Sequence, residues 1–454
     1  MHKLSERFNT PLKYLVAAAI LAVPLYPKFP FIKVPGTFVS IRLEDFVIAI
    51  LACIWFVAVL PTVKNILKDP VTKAILLYIA IGFVSLMSAV YVTNTVSLSI
   101  GFLHWLRRIE YLIPFFVGSY VISVNRSNLY FYFKLLLVVI TGAFIYGYGQ
   151  IHFLWPIIIT QNQEYAKGVA LRWIPGSHVN STFAGHYDLA TFLVLVMSLI
   201  VPAIFLLKGK INKAVLTTVF FFALWLLANA ASRVSLVSYL ISIVISCVFV
   251  KRYKPILLVV LISVIYFASS SVIITRYERI YEVIQSKLLT ANIVEIARPT
   301  YASEVVQLNE SKIENQQASP QPEDRSSSIR INVEWPRALR AFTKNPLVGT
   351  GYSSITLATD NDYLRALGET GLLGLLSFAL IFINMLTAYI RRLPFPRHYS
   401  NLELVFVAGF LAALPGLFLN AVFIDIFEAS KFAISFWFIA GFSYSLIKND
   451  HLNK

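Results

Sequence analysis

Long apolar runs alternate with short polar interruptions along the whole chain. A helix needs about 20 apolar residues to cross a bilayer. Read run by run, the pattern predicts about twelve spans, at 12–27, 41–60, 72–92, 109–124, 129–152, 186–207, 213–229, 232–250, 255–274, 370–390, 404–424 and 430–448. The first is short and carries Pro24 and Pro27 near its end. Two longer polar stretches interrupt the rhythm. One is 153–185, with Trp155, Arg172, Trp173 and His178. The other is 275–369. There Tyr277, Ile280, Tyr281, Ile284 and Leu288 share one helical face, suited to a membrane surface or to capping a bundle. Residues 309–328, NESKIENQQASPQPEDRSSS, read as a flexible insert. Trp335, Leu339 and Phe342 then return to helical spacing, with Pro336 in a first turn and Asn345-Pro346 as a stop. Gly349 and Gly351 mark a turn. Three regions follow: spans one to nine (1–274), a partly helical outer loop (275–369), and the last three spans with a tail (370–454).

Composition supports an all-α polytopic membrane protein. Hydrophobic residues make up 57% of the 454 residues and charged residues 14%, with mean hydropathy +0.71; soluble domains carry about 25% charge. Lys3, Arg7 and Lys13 precede the first run without a clear cleavage site, which reads as a retained first span. The net charge of +16 does not indicate nucleic acid, because most basic residues sit in short loops between spans. Lys64, Lys68, Arg126, Lys208, Lys210, Lys213, Lys251, Arg252, Lys254, Arg391, Arg392 and Arg397 all fall on one side. By the positive-inside rule that side is cytoplasmic, as are both termini, and 153–185 and 275–369 face outward. Cys53 and Cys247 lie inside apolar runs and suggest neither redox chemistry nor a metal site.

Candidate chemistry gathers on the outer side. The stretch 359–374, TDNDYLRALGETGLLG, sets Asp360, Asp362, Arg365 and Glu369 just before the apolar run Leu372–Ile390. Asp360 and its neighbours Asn361 and Asp362 read either as site residues or as helix caps. Glu369 is placed to pair with an arginine at the span entrance. Arg233 falls in the first turn of a membrane helix, where free N–H groups and the helix dipole favour an anion; the alternative is a snorkelling interfacial arginine. Arg330, Glu334 and Arg337 share a face if 328–342 is helical, with Arg340 one turn on; a solvated Arg–Glu pair is the plainer reading. His178 and His186 read as interface residues. With no HExxH, Cys pair or Walker-type loop, neither a metal nor a nucleotide cofactor is expected.

Taken in order, Ser232-Arg233, then Arg330, Trp335, Ala338 and Leu339, then NPLVGTGY and DNDYLRALGETGLLG resemble the O-antigen ligase/polymerase superfamily of bacterial membrane glycosyltransferases. The match covers roughly 215–390, with weaker likeness in IRLEDFVIAI at 41–50. The resemblance implies a GT-C-like fold and metal-independent, inverting glycan transfer in the cytoplasmic membrane, on its outer face. The implied donor is a glycan on undecaprenyl diphosphate, and the implied acceptor a glycan or lipid hydroxyl. It admits a chain-length regulator as a partner. It implies catalytic roles for Arg233, Arg330 and Asp360. Arg337, Arg340, Asn361, Asp362, Glu369 and Arg172 are expected to bind substrate. Ligases typically have histidine before the Asn at this motif, where this chain has Asp360 before Asn361. That departure leans the reading toward a polymerase, with ligase as the alternative. A transporter of lipid-linked sugars is the competing class, but it would place polar groups near the midplane; a non-enzymatic scaffold is a third.

Overall fold

The computed structural model describes residues 2–27, 31–33, 40–158, 171–270, 274, 329–355 and 359–448. The surface-helix reading at 277–288 and the insert 309–328 lie outside them. The described chain is helical apart from short turns and one two-stranded ladder, β1 (Ile32–Lys33) antiparallel to β2 (Ser40–Ile41). The helices are α1 (His2–Leu25), α2 (Leu43–Val59), α3 (Pro70–Tyr91), α4 (Leu98–Val124), α5 (Asn128–His152), α6 (His186–Leu206) and α7 (Lys210–Ala230). Then come α8 (Arg233–Phe249), α9 (Lys254–Ala268), α10 (Trp335–Lys344), α11 (Asp362–Ile390), α12 (Asn401–Ala421) and α13 (Ser430–Lys448). Among the described residues, 9 helices are long and apolar enough to cross a membrane. The apolar helices α8 and α9 are shorter. α4 is long enough but carries Arg107, Arg108 and Glu110.

That helix differs from the sequence expectation. The predicted span 109–124 treats Arg107-Arg108 as a loop, whereas α4 runs unbroken from Leu98. Arginine and glutamate are good helix formers, so charge alone does not end a helix. The consequence is that Arg108 projects from the middle of a helix into the protein.

α13 forms the centre of the bundle. It is buried from Ser430 to Ile447, although it is the least apolar of the candidate spans. α2, among the most apolar, has most of its residues exposed or half-buried. This is the distribution expected when lipid, not water, covers the outside: apolar surface faces hydrocarbon and small or polar residues fill helix contacts. α13 packs on α4, α12 packs on α6 and α8, and α11 packs on α3. Inside, Tyr389 donates to Ser443 Oγ (2.7 Å) and Tyr444 to Asp69 Oδ1 (2.9 Å).

Lys431, in the first turn of α13, is fully buried. Its ammonium donates to the carbonyls of Pro24 (3.1 Å), Tyr26 (2.6 Å) and Thr182 (2.6 Å), and Phe183 stacks beside it. An ammonium has three donors, and here they fasten the end of α1 and the segment before α6 onto the central helix. Lys431→Met is expected to lower the melting temperature of the solubilised protein by several degrees. Each buried acceptor left without a donor costs about 1–3 kcal/mol. An unchanged melting curve would show that this tether carries no stability.

α11 is two helices joined at a break. Gly371 has φ 68° and ψ −171°, outside any helix. The break lies where segment 346–351 lies against it. Thr350 N donates to Gly368 O (3.0 Å) and Gly351 N to Glu369 O (2.8 Å); Leu372 N and Leu373 N donate to Pro346 O (2.9 Å) and Leu347 O (3.1 Å). Ser85 Oγ of α3 also donates to Glu369 O (2.8 Å). A broken helix thus keeps its backbone groups paired, as a low-dielectric surrounding requires. The backbones touch: a Cβ on Gly349 would lie 2.5 Å from Glu369 backbone atoms, and one on Gly371 2.4 Å from those of Leu347.

Candidate active site

The stretch opening α11 is held by two reciprocal carboxylate contacts. Asn361 is the N-cap, its side chain accepting from Leu364 N (2.9 Å). Asp360 is therefore not the cap; it has φ 49°, a left-handed conformation. Asp425, in the connection between α12 and α13, accepts from Thr359 N and Asn361 N, each at 2.9 Å. In return Asp362 accepts from Ile426 N (2.7 Å) and Phe427 N (3.3 Å). Two short polar segments far apart in sequence are thereby locked side by side.

Beneath them lies a buried ion-pair network. Arg365 Nη1 reaches Asp425 Oδ2 (2.8 Å), and its Nε lies 3.5 Å from Glu369 Oε1 and 3.6 Å from Glu428 Oε1. Arg108 from α4 pairs with Glu428 and approaches Glu369 Oε2 at 3.7 Å, with its guanidinium 5.3 Å from the Tyr352 ring. Ser353 N donates to Glu369 Oε1 (3.3 Å). A cavity of about 40 Å³ is lined by Tyr78, Arg108, Tyr352, Glu369 and Glu428 among others. Groups this enclosed are not freely exchangeable: removing one partner of a buried pair costs about 3–5 kcal/mol.

A second group adjoins the network, with Arg330 buried and Asp360 partly exposed. Arg330, in a π-helical turn (Arg330–Glu334) leading into α10, donates to Asp360 Oδ2 through Nε (3.0 Å) and pairs with it through Nη2 (2.8 Å). Its guanidinium lies 5.5 Å from the Tyr187 ring, at the start of α6. Glu334 lies one turn further on. Its Oε2 and Arg337 Nη1 are buried and have no hydrogen-bond partner among the described residues. Burial pushes the Glu334 carboxyl up to about 7, and the nearby Asp360 pushes the same way against the opposing pull of Arg330. Burial likewise raises Asp360 above the ordinary carboxylate range, opposed by Arg330. Six carboxylates (Glu334, Asp360, Asp362, Glu369, Asp425, Glu428) surround four guanidiniums (Arg108, Arg330, Arg337, Arg365). A surplus of acids in a confined space favours keeping a proton on one of them. The arrangement therefore offers anchored cations for an anion, and a carboxylate poised near neutrality to accept a proton.

Residues 218–379 match the family model described as O-antigen ligase. Over those residues the chain is similar to the O-antigen ligase/polymerase superfamily. No curated protein matches it. The family segment carries Arg233, Arg330, Glu334 and the whole 359–374 stretch, but the site is completed from outside it. Arg108 and Tyr187 precede the segment, and Asp425 and Glu428 follow it.

The other residues singled out in the superfamily reading are placed as follows. Arg233 is the first residue of α8, half-buried, behind Ser232, whose hydroxyl accepts from Ser235 N as the N-cap. Arg340 is exposed on α10, and Arg337 is half-buried beside Glu334. Asn361 and Asp362 spend their side chains on backbone amides, as cap and as loop lock. Glu369 is held inside the ion-pair network. Arg172 lies at the surface and donates to Leu154 O. The rings of His178 and His186 lie 4.2 Å apart, and His186 stacks on Tyr187 at 4.0 Å, so both stand behind the Arg330 group. Sequence reading passed over Arg108, Asp425, Glu428 and Lys431. For Arg108 a signal existed: an arginine pair inside an apolar stretch is costly and points to function by default.

Proposed function

We propose that this membrane protein transfers a glycan from an undecaprenyl-diphosphate carrier to a hydroxyl acceptor on the outer face of the bacterial cytoplasmic membrane, building surface polysaccharide. One observation carries the proposal: the Arg330–Asp360–Glu334 group, at the edge of the buried network and inside the family segment. The acceptor oxygen attacks the anomeric carbon, the bond from that carbon to the phosphate oxygen breaks, and the diphosphate leaves with the electron pair. A single displacement inverts the anomeric centre. In this scheme arginine supplies what a metal would otherwise do. A guanidinium offers a planar fork of donors and a permanent charge. Arg330 binds the departing diphosphate by exchanging its Asp360 oxygen for a phosphate oxygen, assisted by Arg337 and by Arg233 at the head of α8. Glu334 takes the acceptor's proton, because its pKa stands close to neutral pH. Asp360 holds Arg330 until the donor arrives and then faces the acceptor. Positive-inside orientation puts this group outside and both termini inside.

The aspartate at 360, where ligases typically carry histidine, favours polymerase over ligase. The test supplies purified protein with undecaprenyl-diphosphate-linked glycan, with and without lipid acceptors. A ladder of lipid-linked products is the expected result. A single capped acceptor would make it a ligase, and movement across vesicles without transfer would make it a flippase. The same assay reads the base. The kcat/KM profile is expected to rise with pH through about 7, as Glu334 loses its proton. Glu334→Gln is expected to abolish that rise and lower the rate by about 10²–10⁴-fold. A variant that keeps both rate and profile would remove Glu334 from the mechanism.

A further inference from the structure

α5 ends at His152, on the side where Tyr187 opens α6 beneath Arg330. Toward the opposite end of α5, helices α1, α5 and α7 enclose a groove of about 530 Å³. Leu25, Phe133, Leu137, Ile145 and Val219 form its apolar walls. Lining positions on α5 run from Tyr130 to Ile145, about 22 Å at 1.5 Å per residue, which is roughly the depth of one bilayer leaflet with its interface. The polar end differs sharply. Tyr130, Lys134 and Asn212 line it. The Lys134 ammonium lies 4.3 Å from the Tyr130 ring, and Asn212 Nδ2 donates to Lys208 O (2.9 Å). Lys208, Lys210 and Lys213 are exposed around that turn. Neither 126–142 nor 206–219 contains an acidic residue.

We propose that this groove binds one anionic phospholipid, with an acyl chain along α5 and its phosphate at Lys134, in the leaflet that the basic loops face. The walls exclude a hydrophilic occupant, and Lys134 with the exposed lysines of that turn favours negative charge; the carboxylate at this end, Glu403, is paired with Arg126. A lysine over an aromatic ring at the interface is a stable anchor for such a headgroup. The site stands independently of glycan transfer: it lies toward the far end of the bundle and shares no lining residue with the Arg330 group.

The test places delipidated full-length protein in nanodiscs containing equal phosphatidylglycerol and phosphatidylcholine, then measures retained lipid by native mass spectrometry. One phosphatidylglycerol per chain is expected to survive conditions that strip phosphatidylcholine. Lys134→Leu is expected to weaken that preference about fivefold, the effect of losing one cation near an anionic surface. Val138→Trp, at an exposed wall position, is expected to expel the lipid while leaving the protein monodisperse. Equal retention of the two lipids by the parent protein would overturn the proposal, as would undiminished phosphatidylglycerol in both variants. Undecaprenyl phosphate held in preference to phosphatidylglycerol would overturn the assignment to a phospholipid.

Discussion

Glycan transfer is expected to fall by about 10²–10³-fold in Arg330→Ala, the loss typical of removing one preorganised donor to a developing anion. Arg330 is held at both ends: its Nε and Nη2 share Asp360 Oδ2, and its face lies over Tyr187. That is preorganisation, since the guanidinium is in place before any donor arrives. Arg330→Lys is expected to recover little, because an ammonium cannot reproduce the fork. Both variants are to be assayed in membranes at matched protein level, reading lipid-linked product. Loss of protein rather than of turnover would assign Arg330 a structural role. Wild-type product from both variants would sink the proposed site. Asp360→Asn offers an internal control. It keeps an acceptor for Arg330 but removes the charge that competes with a phosphate, so donor affinity is expected to hold or rise while turnover falls.

Gly371→Ala is expected to remove most folded protein. At φ 68° and ψ −171° the backbone occupies a region that is essentially glycine's alone, and a side chain there costs on the order of 1–3 kcal/mol before any contact is counted. Contact then adds to it, because the new Cβ would meet the Leu347 carbonyl 2.4 Å away. Moving segment 346–351 to relieve that contact would break the four backbone hydrogen bonds that pair the two halves of α11 with it. It would also disturb Glu369, whose carbonyl and carboxylate are held by Ser85, Gly351 and Ser353. Fluorescence-detected size-exclusion chromatography of tagged variants reads the outcome. A monodisperse Gly371→Ala protein with normal melting temperature would mean that the break tolerates a side chain.

The helical membrane class, most of the apolar runs, the helix entered at Trp335 and the stop at Asn345 were legible in the chain, because each is a local property; the start of α4 at Leu98 was not, because its arginine pair read as a loop. An apolar run of bilayer length, a proline in a first turn and an Asn-Pro stop need no knowledge of neighbours. The stretch 359–374 was legible as an anomaly for the same reason, since charge beside a membrane run is expensive wherever it occurs. Its internal roles were not. Asp360, Asn361 and Asp362 are chemically alike as caps, and only backbone geometry assigns the cap to Asn361, the loop lock to Asp362 and the Arg330 contact to Asp360. The partners of Arg365 lie 60 residues away at Asp425, and Arg108 meets Glu428 across most of the chain. No periodicity encodes such pairings. They exist because helix packing brings α4, α11 and the connection before α13 together, and a low dielectric then forces each buried charge to find its opposite. Sequence by itself determined a helical membrane protein with a cluster of arginines and acids beside a membrane run. Tertiary structure decided which of those charges pair with which, because only packing brings groups so far apart in the chain within reach.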